Sequence, residues 1–203
     1  MNEKLKSLLE RVYELYNRFG IKSVTMDDVA RELGISKKTL YQYVNDKAEL
    51  VEKVISHNTD HHRDVIYGIV KQGHNAIEEL LEVNRYMNKM MKEQNPTLDY
   101  DLKKYYPEIN AKLVRESRKR MYESIRRNLV KGQEEGLYRQ DMDIDVISRL
   151  HMTRLEYKYS SDSFTITELN SEKMMREIFV YHMHGIASDK GRKILQEKLY
   201  NDG

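Results

Sequence analysis

Residues 24–50, VTMDDVARELGISKKTLYQYVNDKAEL, constrain this chain more than any other stretch. They read as two short helices joined by a tight turn, followed by the start of a third. Thr25 is a good N-cap, and Asp28, three residues on, can return the hydrogen bond in the manner of a capping box. Val29, Ala30 and Leu33 then fall on one helical face. Gly34 stands where the first helix must stop and the chain must turn, because glycine takes a positive φ without penalty. Ile35 plugs the turn from inside. Ser36 caps a second helix, Lys37 to about Tyr43, whose buried side needs Leu40 and Val44. Asp46 and Glu49 make a D-x-x-E start for the third. The outward side of the second helix carries Lys37, Lys38, Thr39, Tyr41 and Gln42. Such a face suits a DNA major groove: Gln can bond bidentately to adenine, Lys to guanine, and Thr can touch a thymine methyl. Tyr and Ser hydroxyls can hold phosphates. The plainer alternative is a helical hairpin with a solvated polar face.

The stretch resembles the DNA-binding signature of the TetR family of bacterial transcription regulators. Thr25, Asp28, Val29 and Ala30 match its opening, and Gly34, Ile35 and Ser36 its turn. Thr39, Leu40 and Tyr41 match a Thr-Leu-Tyr run, and Lys47 and Leu50 a later Lys with Leu three residues on. The spacing holds without a gap. Val44 departs from a usual aromatic, which implies a smaller core plug. Lys38 departs from a frequent small residue and adds a cation beside the DNA. The resemblance is specific over about residues 3–55. Beyond that it implies only an architecture: a divergent helical domain that senses an effector, and two last helices that pair with a partner's into a four-helix bundle.

At 203 residues the chain can bury one good core, or a small module on a larger one. Two Pro and 9 Gly favour long helices. The absence of cysteine excludes a disulfide framework and thiolate metal sites. No signal-peptide pattern and no apolar run of about 18 residues are seen, so a cytoplasmic chain without membrane association is expected. A net charge of +2 is weak evidence for nucleic acid. Locally the charge says more, since between Ile35 and Ala48 the only acid is Asp46, against Lys37, Lys38 and Lys47.

Leu5, Leu8, Leu9, Val12, Leu15, Tyr16 and Phe19 recur at helical spacing and predict a first helix over 3–19. The expected fold is all-α, with a three-helix DNA-binding domain over 1–46 and a helical effector-binding and dimerisation domain over 47–203. The helix from Lys47 runs to about residue 72 and is the natural lever between the two. His57 and His61 on it are one turn apart, but no third metal ligand is evident, and no metal or other cofactor is expected. Later helices are expected over about 77–95, 98–106, 107–135, 144–159, 171–187 and 190–199, with 160–170 as the most loop-like stretch. The basic run from Lys112 to Lys131 reads as a solvated face.

Family likeness implies a small molecule inside the second domain. Candidate lining residues are Tyr67, Tyr86, Met87, Met90, Met91, Tyr105, Tyr122, His151, Met152 and Tyr157, an adaptable set that suits an aromatic or amphipathic ligand. The alternative is that each is simply core. The last long helix carries a wide apolar stripe that would leave a patch exposed on a monomer. A homodimer interface is therefore expected at Ile147, Leu150, Met175, Ile178, Phe179, His182, Met183 and Ile186. Thr25 is expected among the DNA-binding residues, with Ser36, Thr39, Tyr41 and Lys47 holding the DNA backbone and Lys37, Lys38 and Gln42 reading bases. The expected function is a homodimeric regulator, a repressor that an effector releases from a palindromic operator on double-stranded DNA. The alternative is a DNA-binding protein that recruits another protein and has no small-molecule effector. None of the seven His has Glu three residues before it, and no P-loop, G-x-G-x-x-G or nucleophile elbow is present, so no enzyme is expected.

Overall fold

The computed structural model describes residues 3–157 and 171–200, with backbone alone for 154–157 and 200. The described residues form α1 (Glu3–Phe19), α2 (Met26–Leu33), α3 (Lys37–Leu40), α4 (Lys47–Val70), α5 (Ala76–Glu93), α6 (Pro96–Tyr105), α7 (Pro107–Glu134), α8 (Ile144–Tyr157), α9 (Glu172–Ile186) and α10 (Asp189–Tyr200). No strand occurs among them, only one isolated bridge between Tyr138 and Ala187, so the fold is all-α as expected. The chain divides into two compact units.

The first unit comprises Met1–Tyr67 and Glu93–Arg115. It extends beyond the 1–46 read from the sequence because the α1–α3 core is completed by later residues. Leu9, Val12, Tyr16, Ile21, Leu40, Leu50, Val51 and Val54 are all but inaccessible, and Leu98, Leu102 and Leu113 join them. Each such side chain is worth about 1.5–3 kcal/mol when taken from water. Gly20 turns the chain after α1 at φ +81, where a side chain would be strained. The turn is then pinned from α6, whose buried Asp101 accepts the Lys22 amide at 2.8 Å. The Asn17 side chain accepts the Asn95 amide at 2.9 Å, and Asn95 caps α6 by accepting the Thr97 amide. Pro107 opens α7, where its missing N–H costs nothing.

The second unit comprises Gly68–Lys92 and Glu116–Gly203. Its core joins Ala76, Ile77 and Leu81 of α5, Ile125 and Leu129 of α7, and Phe179, Met183 and Ile186 of α9. A buried polar network ties α5 to α7. Asn128 donates to the Ala76 carbonyl at 2.9 Å and to the buried Glu79 carboxylate at 3.1 Å. Lys131 neutralises Glu79 at 2.9 Å. The Tyr138 hydroxyl lies 3.0 Å from Asn128 Oδ1 and 3.1 Å from the Ala76 carbonyl. Gly136 ends α7 at φ +67, and Leu137 packs back into the core, both as expected. The ring of Tyr138 then packs against Gly132, leaving no room for a Cβ. The segment after α9 runs beside this turn, with Arg139 donating to the Ile186 carbonyl and Ser188 to that of Leu137, each at 2.9 Å.

Candidate nucleic-acid interface

The two-helix hairpin is built as its sequence dictates. Thr25 Oγ1 accepts the Asp28 amide at 3.1 Å, and the Asp28 carboxylate accepts the Thr25 amide at 2.9 Å. The Thr25 hydroxyl also donates to that carboxylate at 2.6 Å. These bonds hold the Asp28 carboxyl below the usual carboxylate range. Gly34 ends α2 at φ +68, and the Ile35 amide reaches back to the Ala30 carbonyl at 3.0 Å. Ile35 packs against the core, and Val44 is buried as the smaller plug. Ser36 caps α3 by accepting the Thr39 amide at 3.0 Å. The regular α-helix stops at Leu40, earlier than the sequence suggests. Gln42 and Tyr43 then donate to the carbonyls of Thr39 and Leu40, three residues back, which tightens the last turn. Asp46 accepts the Glu49 amide at 2.8 Å and so starts α4.

The outward residues divide by what they already touch. Lys38, Tyr41 and Gln42 are exposed. Lys37 is exposed but paired with Asp27 at 3.0 Å, so base contact requires exchange of that partner. Asp27 is a residue the sequence reading missed, since nothing in a ten-residue separation announces the pair. The hydroxyls of Ser36 and Thr39 face each other at 2.8 Å. Lys47, expected to hold the DNA backbone, is engaged within the chain. Its ammonium is half-buried and donates to the carbonyls of Ile21 at 2.7 Å and Lys22 at 3.5 Å. Burial pulls it below the usual lysine range, against the opposing pull of Asp101 and Asp28. Lys47 therefore clamps the turn after α1 to the start of α4.

Residues 8–54 match the family model described as bacterial regulatory proteins, tetR family. Over these residues the chain is similar to the amino-terminal, DNA-binding domain of that family. An uncharacterized HTH-type transcriptional regulator of Bacillus subtilis, YvaF, is 31% identical over 102 residues, half of this chain and 53% of that protein. An HTH-type transcriptional regulator of Staphylococcus aureus, SAUSA300_2515, is 33% identical over 58 residues, 29% of this chain and 31% of that one. The chain thus spans between about a third and half of the length of these curated relatives. Among solved structures, a transcriptional regulator from Cytophaga hutchinsonii superposes with a TM-score of 0.73 at 19% identity, over 92% of this chain and all of that one. Regulatory protein TetR from Rhodobacter sphaeroides does so with 0.69 at 14%, over 91% of this chain and all of that one. A chain from Saccharomonospora viridis solved in complex with choline gives 0.72 at 18%, over 92% and 100%. These likenesses are of fold.

The remaining expected sites fare unevenly. Met175, Phe179, Met183 and Ile186 are interior, at most 5% exposed, and are core rather than dimer surface. Leu150 is 59% exposed, and Val146 and Tyr181, which the sequence reading did not single out, are exposed as well. Ile147, Ile178 and His182 are half-buried. The His182 ring meets that of His151 edge-on at 4.2 Å, so α8 and α9 lie side by side. Among the proposed effector residues, Tyr67 and Tyr105 belong to the first unit and are exposed. Tyr105 is held there by Lys22, whose Nζ lies 4.9 Å from the ring centroid. Tyr86, Met87, Met90, Met91 and Met152 are half-buried, and His151 is buried. Tyr122 donates to Asp145 at 3.2 Å. The side chain of Tyr157 lies outside the described residues, as does the 160–170 segment. A cleft of about 220 Å³ in the second unit is lined by His74, Glu78, Leu81, Glu82, Arg85 and Lys198, none of them proposed from sequence. Among the described residues, no group of three metal-ligating side chains occurs, and no helix is long and apolar enough to cross a membrane.

Proposed function

We propose that this chain is a transcription regulator, a homodimer that reads a palindromic operator and a repressor released by a small molecule. The observation that carries the reading is one exposed face: Lys38 on α3, and Tyr41 and Gln42 on the tightened turn after it, follow a capped helix start and a glycine turn. Preorganised ends fix where those side chains point, and side chains of these types read base edges and phosphates. Two copies related by a two-fold axis would present two such helices to successive major grooves, about 34–36 Å apart. The exposed Val146, Leu150 and Tyr181 supply apolar surface for that pairing. An effector acts by favouring a dimer with its reading heads at the wrong spacing. Typical coupling of about 1–3 kcal/mol lowers DNA affinity roughly 5- to 150-fold. The likeness to a chain solved with choline supports a ligand role for the second unit without naming its ligand.

Selection of bound duplexes from a random-sequence pool, at two salt concentrations, tests the reading. It should return a palindromic consensus whose affinity falls steeply with salt. Recovery of unrelated sequences would overturn it.

A further inference from the structure

Most cations of the first unit for which a partner is seen are cancelled by carboxylates. Arg31 meets Asp28, Lys37 meets Asp27, Lys53 meets Glu49, Lys103 meets Asp99 and Lys112 meets Glu52, all within 3.4 Å. One corner is built differently. Where the turn after α1 meets α6, the cations rest on aromatic rings. Arg18 lies 4.8 Å from the Phe19 centroid, Lys22 4.9 Å from that of Tyr105, and Lys104 5.0 and 5.5 Å from those of Tyr100 and Tyr105. Lys104 also donates to the Tyr100 hydroxyl at 2.7 Å. A ring orients a cation but leaves its net charge in place. The carboxylate nearest this turn, Asp101, is buried and occupied with the Lys22 amide.

The corner adjoins the reading head. Lys22 is three residues before Thr25, so their backbones are at most about 11 Å apart. Lys47 bonds the Ile21 and Lys22 carbonyls directly. We infer that Lys22 and Lys104, poised on Tyr100 and Tyr105, form a second contact surface for the phosphate backbone of double-stranded DNA flanking the operator. The partner is fixed by charge: uncancelled ammonium groups on a rigid corner beside the residues already assigned to the duplex fit a row of phosphates. The rings would brace the long lysine side chains and so reduce the entropy lost on contact. This inference rests on the DNA-reading function proposed above and extends its footprint outward.

The test compares two duplexes with the full-length protein over a salt series: the selected consensus alone, and the same consensus with about ten extra base pairs of random sequence on each side. Wild-type protein should prefer the longer duplex. Its salt slope should steepen by up to about 3.6 from short to long, or 0.9 for each of four lysines in a dimer. Between 50 and 200 mM salt the advantage of the longer duplex should then shrink by roughly 150-fold at most. The double variant Lys22→Gln/Lys104→Gln should lose the length preference and the added slope, and Lys22→Arg/Lys104→Arg should keep both. If wild type binds the consensus but the Gln variant retains its length preference and slope, the inference is overturned and the corner is left to an acidic protein partner. If wild type binds no duplex, the DNA-reading function falls, and the inference falls with it.

Discussion

Thr25 does two jobs with one side chain. It accepts the Asp28 amide and donates to the Asp28 carboxylate, so the first turn of α2 and the entry to the reading head are fixed together. Thr25→Ala should cost about 1 kcal/mol of stability, read from urea unfolding at neutral pH. The pH dependence has a definite sign. The Asp28 carboxyl is depressed in the folded chain, so its contribution is fully present above the ordinary carboxylate range and disappears as pH falls through the folded value. The stability difference between wild type and Thr25→Ala should therefore narrow from about pH 4 downward, and a difference that widened in acid would contradict the capping account. Gln42 is exposed at the end of α3, and a bidentate pair to adenine is worth about 1–3 kcal/mol. Gln42→Ala should relax the preferred sequence at one position in each half-site when the pool selection is repeated. An unchanged consensus would remove Gln42 from base reading.

At the scale of elements, the junction of α7 with the turn after it rests on a glycine that looks unremarkable in sequence. Within a helix, Gly→Ala ordinarily stabilises by up to about 1 kcal/mol. At Gly132 the added Cβ would stand 2.0 Å from the Tyr138 ring. Gly132→Ala should instead lower the thermal midpoint, with an overpacking cost of about 1–3 kcal/mol. A raised midpoint would mean that the ring does not lie there. The case shows what the chain makes legible. Thr25, Asp28, Gly34, Ser36, Asp46 and Glu49 could be read directly, because caps and turns are local chemistry with fixed offsets. Helix existence followed from periodicity, and Pro107 and Gly136 marked their boundaries. What periodicity cannot say is what covers an apolar stripe. Met175, Phe179, Met183 and Ile186 fill the chain's own interior, although the same stripe reads equally well as a partner surface. The clamp of Lys47 on Ile21, the Asp27–Lys37 pair and the α6 brace under Lys22 join residues 10 to 79 positions apart, and no sequence spacing encodes them.

For the whole molecule, pairing of two chains is the step on which a palindromic reading depends. Leu150 is mostly exposed, so Leu150→Glu should cost the single chain within about 0.5 kcal/mol. In a dimer that covers this surface, the buried unpaired charge should weaken association at least tenfold, measured by sedimentation equilibrium. A variant as dimeric as wild type would place the interface elsewhere. Two deeply buried phenols also give the protein an optical signature. The chain has 15 tyrosines and no tryptophan, so its near-ultraviolet absorbance is a census of phenols. In rising alkali Tyr105 should ionise first, its phenol drawn down by Lys22 and then Lys104. Tyr16 and Tyr138 are pushed far upward, chiefly by burial. A neutral phenol held in the fold stabilises it fully below about pH 10, and that contribution declines above it. Both should stay colourless at 295 nm until the protein opens around them. Tyr16 lies in the first unit and Tyr138 in the second, so the late rise in absorbance should contain one step for each, and the time courses of those steps would show whether the reading head and the rest of the chain come apart together or in turn.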